Sequence, residues 1–398
     1  MAPTYDIAIL GGGLTGLAMA HALPAHWRRN CVLIDSAEAP SDSAVSLAKQ
    51  PPGLDDRGTA LNRRSLDILE TWGLMKGLRD QVGEIRHIEV SQQGYWGTAD
   101  LETGPKEPAF GAVVSNRQLG AALYQGLQSG PAADQPEIRH NSTVADVRFT
   151  ADRVSLTLED GDTLSARLLI LADGGRSGLG DRLGLTYRQH DYHQVAYTLN
   201  LEREYPSDGR AYERFSREGP RALLPLAGHR QTAVWVVPDS LTLHLDHWTK
   251  TDWQQALTEC FGYAQGRITA VSAASSYPLQ FRQVREQARA RLAVIGNGAL
   301  TLHPVAGQGF NLHLRSLHEL GEALQATPDP GNAQLLRQWA DRVAQDQRQI
   351  AQACHGLVSL FGLQPSMVAH ARGLGLAALN GLPGVRKILT QRAMGMST

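Results

Sequence analysis

The sequence predicts an α/β protein: a Rossmann-like parallel-sheet domain, interrupted by an antiparallel β-sheet insertion and closed by C-terminal helices. Three observations predict it. First, Ile7-Ala8-Ile9-Leu10 runs into Gly11-Gly12-Gly13-Leu14-Thr15-Gly16, an apolar strand delivered into a glycine turn and a helix. Second, from His190 to Leu279 the pattern changes to short strands carrying aromatic residues, the mark of a separate antiparallel sheet. Third, Val294-Ile295-Gly296-Asn297 leads into a second glycine-rich run, His303-Pro304-Val305-Ala306-Gly307-Gln308-Gly309-Phe310-Asn311, which opens a helix.

The elements follow in order. Tyr5–Leu10 is a buried strand, a helix runs through about Leu23, and Cys31–Asp35 closes a β-α-β unit. Residues 36–56, rich in Ser, Ala, Pro, Asp and Gly, read as a long loop. Thr59–Trp72 reads as a helix with Leu61, Leu66, Ile68 and Leu69 on its apolar face, Ile85–Ser91 as a strand, and Asn116–Leu127 as a helix. Val144–Phe149, Val154–Leu158 and Leu164–Ala172 are strands, the last two joined by an Asp160-Gly161 hairpin turn. Val195–Leu201, Ala211–Phe215, Ala222–Pro225 and Thr232–Val237 build the inserted sheet. Leu292–Ile295 returns to the buried-strand type, and the tail is helical. The expected division is a discontinuous nucleotide domain over 1–75, 101–185 and 280–330, a β-sheet substrate domain over 76–100 and 186–279, and a helical segment over 331–398.

Composition narrows the class. A net charge of −1 gives no electrostatic case for nucleic acid. Three widely spaced cysteines without a CxxC argue against a disulfide framework, a zinc site or a redox dithiol, and make the cytoplasm the default compartment. Four mostly neutral residues precede the first strand, so no secretory signal is expected, and no apolar run approaches the roughly 20 residues of a membrane span. Charge is uneven, however. Asp346 is the last acidic residue, so residues 347–398 carry +5 and the remainder, from an overall −1, carries −6. That basic tail, with apolar stretches at 357–361 and 374–379, suits peripheral contact with an anionic membrane surface. It equally suits helices packed on the body with arginines in water.

Gly11, Gly13 and Gly16 fit G-x-G-x-x-G, and Asp35 stands nineteen residues further on at the end of a strand. The first glycine permits the turn, the second admits a pyrophosphate against the backbone, and the third allows close helix–strand packing. Asp35 suits ribose hydroxyls. Arg57 precedes a predicted helix and can reach a phosphate or pair with an acid such as Asp55. Asp173, in Ala172-Asp173-Gly174-Gly175-Arg176-Ser177, suits ribose binding or a helix cap. In the second glycine run, Gly307 and Gly309 let the loop approach a flat ring, the helix start favours negative charge there, and Pro304 stiffens the chain beside it. Two glycine cradles gripping one long cofactor point to FAD. His303 and Pro304 are the catalytic candidates, His303 because histidine titrates near neutrality. Tyr197, Phe215, Pro225 and Trp235 on the inserted sheet are candidates for an apolar substrate pocket.

Taken together, the glycine fingerprint, Asp56–Leu61, Gly209–Phe215, Phe261-Gly262 with Tyr277-Pro278-Leu279, Thr301–Leu314 and Gln391–Gly395 resemble the flavoprotein aromatic hydroxylases. Within that class they resemble the 2-polyprenyl-6-methoxyphenol (UbiH-type) hydroxylases of ubiquinone biosynthesis. The resemblance implies a p-hydroxybenzoate hydroxylase-like fold: a Rossmann-like FAD-binding domain with an inserted antiparallel substrate sheet and C-terminal helices. It implies NAD(P)H as electron donor, O2, a flavin hydroperoxide as hydroxylating species, and a polyprenylated phenol as substrate. A quinone-biosynthesis complex and the membrane's inner face are the partners it suggests. It puts Gly11, Gly13, Leu14, Thr15, Gly16 and Asp35 on the ADP half of FAD, Arg57 near the pyrophosphate, and Asp173 in a motif shared by FAD and NAD(P)H. Arg117, Asn297, Pro304, Gly307, Gln308, Gly309, Phe310 and Asn311 complete the cofactor set.

Three departures from the family's pattern stand out. Asn297 replaces a frequent aspartate, His313 and Ser316 stand at usual glycine and aspartate positions, and Cys354-His355 replace a Thr-Asp pair. FAD binding is expected to survive them; flavin packing or a partner interface is where they bear. The rival readings are a flavin halogenase or geranylgeranyl reductase on a related fold, a non-catalytic flavin-binding scaffold of a quinone-biosynthesis complex, and a plain nicotinamide dehydrogenase.

Overall fold

The computed structural model of the chain describes residues 3–40, 57–362, 370, 373, 374, 378 and 383–395. Its first sheet runs Ala288–Arg289, Leu292–Val294, Thr163–Leu171, Thr4–Leu10, Cys31–Ile34, Glu137–Arg139, with the last five strands mutually parallel. Ile7, Ala8, Ile9, Val32 and Leu33 are fully buried, as strands covered on both faces must be, which is why they read as continuous apolar runs. Val154–Leu158 and Val144–Phe149 add an antiparallel flap to Thr163–Leu171, and Gly161 turns the hairpin at φ +92°.

Helices Leu14–Ala22, Asn116–Gln128 and Gly309–Leu324 pack on one face of this sheet through Leu17, Met19, Leu119, Leu123, Leu314 and Leu317. A Cβ at Gly321 would run into the carbonyl oxygen of Ala22, so the C-terminal third of the chain lies directly on the first helix. The Trp27 indole donates to the Leu324 carbonyl oxygen at 2.8 Å, which fixes the same junction.

The second sheet has the order Leu300–Thr301, Ser275–Val284, Tyr187–Arg203, Arg230–Pro238, Pro220–Pro225, Arg210–Phe215, His87–Gln92, Thr98–Glu102, with Ile268–Val271 beside Tyr187–Arg203. Neighbours along it are antiparallel except Arg210–Phe215 against His87–Gln92, where a segment from early in the chain joins in parallel register. Helix Lys250–Phe261 covers its outer face, started by a reciprocal capping box between Thr249 and Asp252.

Two expectations are corrected. The stretch read as one helix over Thr59–Trp72 begins as a strand, Gly58–Asn62, and turns helical at Arg63–Thr71. The strand pairs with Gly111–Ser115, and Asn62 caps the helix by accepting from Ser65 N at 3.0 Å. A long-range pairing thus overrides a locally helical pattern. The strand read over Ile85–Ser91 is two strands, Gly83–Ile85 and His87–Gln92, which join different sheets with the chain switching at Arg86.

The described tail is helical over Ala333–Gly362 and Pro383–Ala393. The side chains of the 357–361 stretch, and most of 374–379, lie outside the described residues. Beyond the final helix the chain folds back on the body: Met394 is buried beside Ile85, Phe110 and Val113, and its carbonyl oxygen accepts from Arg64 N at 3.1 Å.

Candidate active site

One cleft of about 2310 Å³ runs between the glycine turn, the second glycine run and the inner face of the second sheet. At one end, strand Thr4–Leu10 ends at Gly11, whose φ of +109° suits a residue without a Cβ. A Cβ there would sit 2.7 Å from the Ala172 carbonyl oxygen. A Cβ on Gly16 would run into the Gly11 carbonyl oxygen, so this glycine is what lets the helix start hug the turn. Gly13 meets nothing on its open side. Gly11, Gly13, Leu14, Thr15 and Asp35 line the cleft, whereas Gly16 lies beneath it. Asp35 leans over Gly12 and accepts from Ala37 N at 3.1 Å.

Helices Leu14–Ala22 and Gly309–Leu324 both open on this cleft. They start at Gly13 and Gln308 without a side-chain cap and without an acid in the first turn. Their first-turn amides and positive dipole ends therefore suit anionic or carbonyl oxygens.

The second glycine run is held in place by its own asparagine. Asn311 is 2 % exposed, accepts from Asn62 N at 2.8 Å, and donates to the carbonyl oxygens of Ala60 (2.9 Å) and Gly307 (2.8 Å). Its amide thus ties the loop to strand Gly58–Asn62 and to the helix that follows. Gly307 adopts φ +58°, and Pro304, Gly307, Gln308, Gly309 and Phe310 line the cleft around it.

His303 does not suit the general-base role. It is 1 % exposed, Nδ1 accepts from Val305 N at 3.2 Å, and Nε2 faces Gln194 Oε1 at 3.2 Å. The acceptor on Gln194 assigns the proton to Nε2, so both nitrogens are engaged. Burial lowers its pKa to about 4, leaving a neutral ring that shapes the loop. Cys354 packs against Val305 and Phe215, and burial pushes its thiol up to about 11, so it is filler rather than nucleophile. His313 is also buried and neutral, with a pKa lowered to about 4, and its Nε2 meets Asn297 Oδ1 at 3.1 Å. Two departures from the family's pattern, at 297 and 313, therefore touch one another. Ser316 is buried, and its backbone carbonyl accepts from the Trp339 indole at 3.0 Å.

Asp173 lines the cleft but is spent largely on its own loop. It accepts from Gly175 N (2.9 Å), Ser177 N (3.1 Å) and the Ser177 hydroxyl, bonds within its own turn; the helix that follows, Leu179–Arg182, starts at Gly178 without a side-chain cap, so Asp173 is not a helix cap. Arg57 is exposed at the cleft edge; Asp55, its suggested partner, lies outside the described residues. Arg117, second in helix Asn116–Gln128, does not line the cleft, whereas its neighbour Asn116 does.

The substrate-pocket candidates divide by strand parity, because successive residues of a strand face opposite sides. Phe215 looks into the cleft with Ala211, Glu213, Ala222, Leu224, Val234 and Val236. Tyr197 and Trp235 are register partners on the opposite face, buried against Trp253 and Leu257 of the covering helix. The Tyr197 hydroxyl donates to Asp246 Oδ1 at 2.6 Å, and the Arg221 guanidinium lies 3.8 Å over the Trp235 ring. Pro225 shares that outward parity with Leu223. These three are corrected: Tyr197 and Trp235 build the sheet's outer core, and Pro225 is likewise absent from the cleft lining. Glu213, by contrast, is an acid the sequence reading passed over. The available signal was its place between Ala211 and Phe215 in an otherwise apolar parity class.

Comparison with known proteins agrees with this geometry. The FAD binding domain family model matches residues 4–353. A ubiquinone hydroxylase, UbiL, of Rhodospirillum rubrum is 34 % identical over 408 residues, spanning 98 % of this chain and 89 % of that protein. The 3-demethoxyubiquinol 3-hydroxylase of Escherichia coli is 28 % identical over 334 residues, covering 82 % and 81 % respectively. Among solved structures, p-nitrophenol 4-monooxygenase PnpA of Pseudomonas putida superposes with a TM-score of 0.78 at 16 % identity over the full length of both chains. A glycine cradle that a single Cβ would close, and two uncapped helix starts on one cleft, fit FAD; the chain belongs to the FAD-binding-domain family of flavoprotein hydroxylases.

Proposed function

We propose that this chain hydroxylates the aromatic ring of a polyprenylated phenol in ubiquinone biosynthesis, using O2 and NAD(P)H. The observation that carries the reading is the continuity of the cleft, from the Gly11–Thr15 turn past Pro304–Phe310 to the apolar inner face carrying Phe215, Val234 and Val236. The names of its relatives supply the substrate class.

Bound FAD would supply the redox chemistry that couples NAD(P)H oxidation to the use of O2. The rest falls to the chain. The turn at Gly11–Gly13 and the first-turn amides of Leu14 and Thr15 would hold the pyrophosphate, with Gly16 beneath them letting the helix start come close; Asp35 would hold the adenosine ribose, and Arg57 would add positive charge at the rim. Asn297, oriented by His313, serves the ribityl chain. Pro304, Gly307, Gln308, Gly309 and Phe310 support the ring, with Asn311 and His303 holding their loop. Asp173 keeps its loop open for the nicotinamide cofactor. The apolar wall orients the phenol and excludes water. The discontinuous division at 1–75, 101–185 and 280–330 around 76–100 and 186–279 belongs to this reading, with 331–398 as the helical segment.

No described helix is long and apolar enough to cross a membrane. A prenylated substrate nonetheless favours peripheral membrane contact through 347–398 and membership of a quinone-biosynthesis complex. Exposed Leu374 and Ile388 within that basic segment support this.

The test is the visible spectrum of the purified protein, then NADH and NADPH oxidation with and without a short-chain prenylated methoxyphenol. Flavin absorbance, stimulated oxidation and a product heavier by one oxygen are expected. Bound flavin with no product would favour the scaffold reading.

A further inference from the structure

Glu213 occupies the middle of strand Arg210–Phe215, opposite Val90 on one neighbouring strand and Ala222 on the other. The charged residues of these strands lie on the outer face, where Arg210 and Arg214 approach Glu89 at 3.4 and 3.9 Å. Glu213 alone of them carries charge toward the cleft, on a wall otherwise made of Val90, Ala222, Phe215 and Val234. Other cleft-lining elements carry Arg64, His303, Arg342, Asp346, Cys354 and Arg392, yet Glu213 has no hydrogen-bond or ion-pair partner among the described residues. Phe215, two residues along the same face, packs on Val305 of the second glycine run. At about 3.3 Å of rise per residue, Glu213 therefore stands about 7 Å from that contact, one aromatic ring's reach from the Pro304 loop.

Glu213 is half-buried and its carboxylate faces the cleft among apolar neighbours, so a ligand that fills the cleft meets it in place of water. We propose that Glu213 is a catalytic residue, its carboxylate accepting the hydroxyl proton of the phenol bound in this cleft. The inference rests on the hydroxylase reading above. The phenol O–H bond breaks with its electron pair left on oxygen, the proton bonds to a Glu213 carboxylate oxygen, and the resulting phenolate is the more electron-rich ring for oxygen transfer. As the ring regains aromaticity, the hydrogen on the attacked carbon passes as a proton to water, its electron pair staying in the ring, and Glu213 returns its own proton to the phenolic oxygen. Desolvation raises the Glu213 carboxyl to about 7, the range in which one group both takes and returns a proton at neutral pH.

The experiment compares wild-type holoenzyme with Glu213→Gln and Glu213→Asp, using the short-chain prenylated methoxyphenol and following product mass and kcat from pH 5.5 to 9. Glu213→Gln should hold FAD with the wild-type visible spectrum and lose about 100-fold in kcat, together with the acid limb of the profile. Glu213→Asp should lose less and keep a limb, displaced in pH. Glu213→Gln turning over within threefold of wild type on an unchanged profile overturns the proposal while leaving the hydroxylase reading intact. Wild-type holoenzyme giving no product overturns both. If Glu213→Gln fails to retain flavin, the Glu213→Asp profile decides: the same limb at the same pH as wild type overturns the assignment.

Discussion

Truncating Asn311 to alanine tests whether the second glycine run is a preformed cradle or merely a loop. The Asn311 amide makes three hydrogen bonds, from Asn62 N and to the carbonyl oxygens of Ala60 and Gly307, all between 2.8 and 2.9 Å, at a position 2 % exposed. Alanine removes the partner of one backbone donor and two acceptors, and each buried group left unpaired costs about 1–3 kcal/mol, less where water enters the gap. We expect Asn311→Ala to lose about 3–5 kcal/mol in urea unfolding of the holoprotein, and FAD affinity to fall at least tenfold as Gly307 is released from Ala60. Asn311→Asp is the sharper control. It keeps an acceptor for Asn62 N but sets a carboxylate oxygen against two carbonyls, so it should be no better than alanine. Flavin fluorescence and far-ultraviolet circular dichroism would follow unfolding, and fluorescence titration would give the FAD dissociation constant. A loss below 1 kcal/mol with FAD affinity within twofold of wild type would refute the argument.

Two further outcomes follow from the same geometry. Gly16→Ala puts a Cβ into the Gly11 carbonyl oxygen, so the purified variant should be colourless and stay so on reconstitution with FAD; a yellow preparation would mean that the helix start can shift at little cost. The holoprotein should also lose stability in mild acid. His303 and His313 have folded pKa values lowered from 6.5 to about 4, so the fold prefers them neutral, and their contribution is full above pH 6.5 and drains away as pH falls toward 4. Between pH 7 and pH 5 this amounts to about 2 kcal/mol per histidine. A His303→Gln/His313→Gln double variant should show a flatter urea midpoint over that range; slopes matching wild type would remove the histidines from the account.

Much of the nucleotide-binding half was legible because its requirements are written in contiguous residues. A strand buried on both faces must be uninterruptedly apolar, and the turn after it must lack a Cβ at Gly11 and Gly16, so Ile7–Gly16 announces itself without any partner. The inserted sheet was legible as a sheet but not by face. Both its faces are apolar, so alternation could not say whether Tyr197 and Trp235 or Phe215 and Glu213 would meet the cofactor domain. Aromatic size drew attention to the outer core, where helix Lys250–Phe261 needs bulk to pack on, while the acid on the inner face went unnoticed. Thr59–Asn62 misled for a related reason: its strand partner, Gly111–Ser115, lies about fifty residues away, beyond any local period.

By itself, then, the sequence determined the fold class, the cofactor and the two cradles, because backbone conformation and strand burial are decided within a few residues. Only the tertiary structure decided that Asn311 ties the second glycine run to strand Gly58–Asn62, that His303 is a neutral prop, and that Met394 near the chain's end closes against Arg64. It also decided which parity of the inserted sheet looks inward, since that depends on the side from which the first domain packs. Each of these turns on hydrogen bonding, desolvation or packing between segments 100 to 330 residues apart, and such terms have no value until the chain has closed on itself.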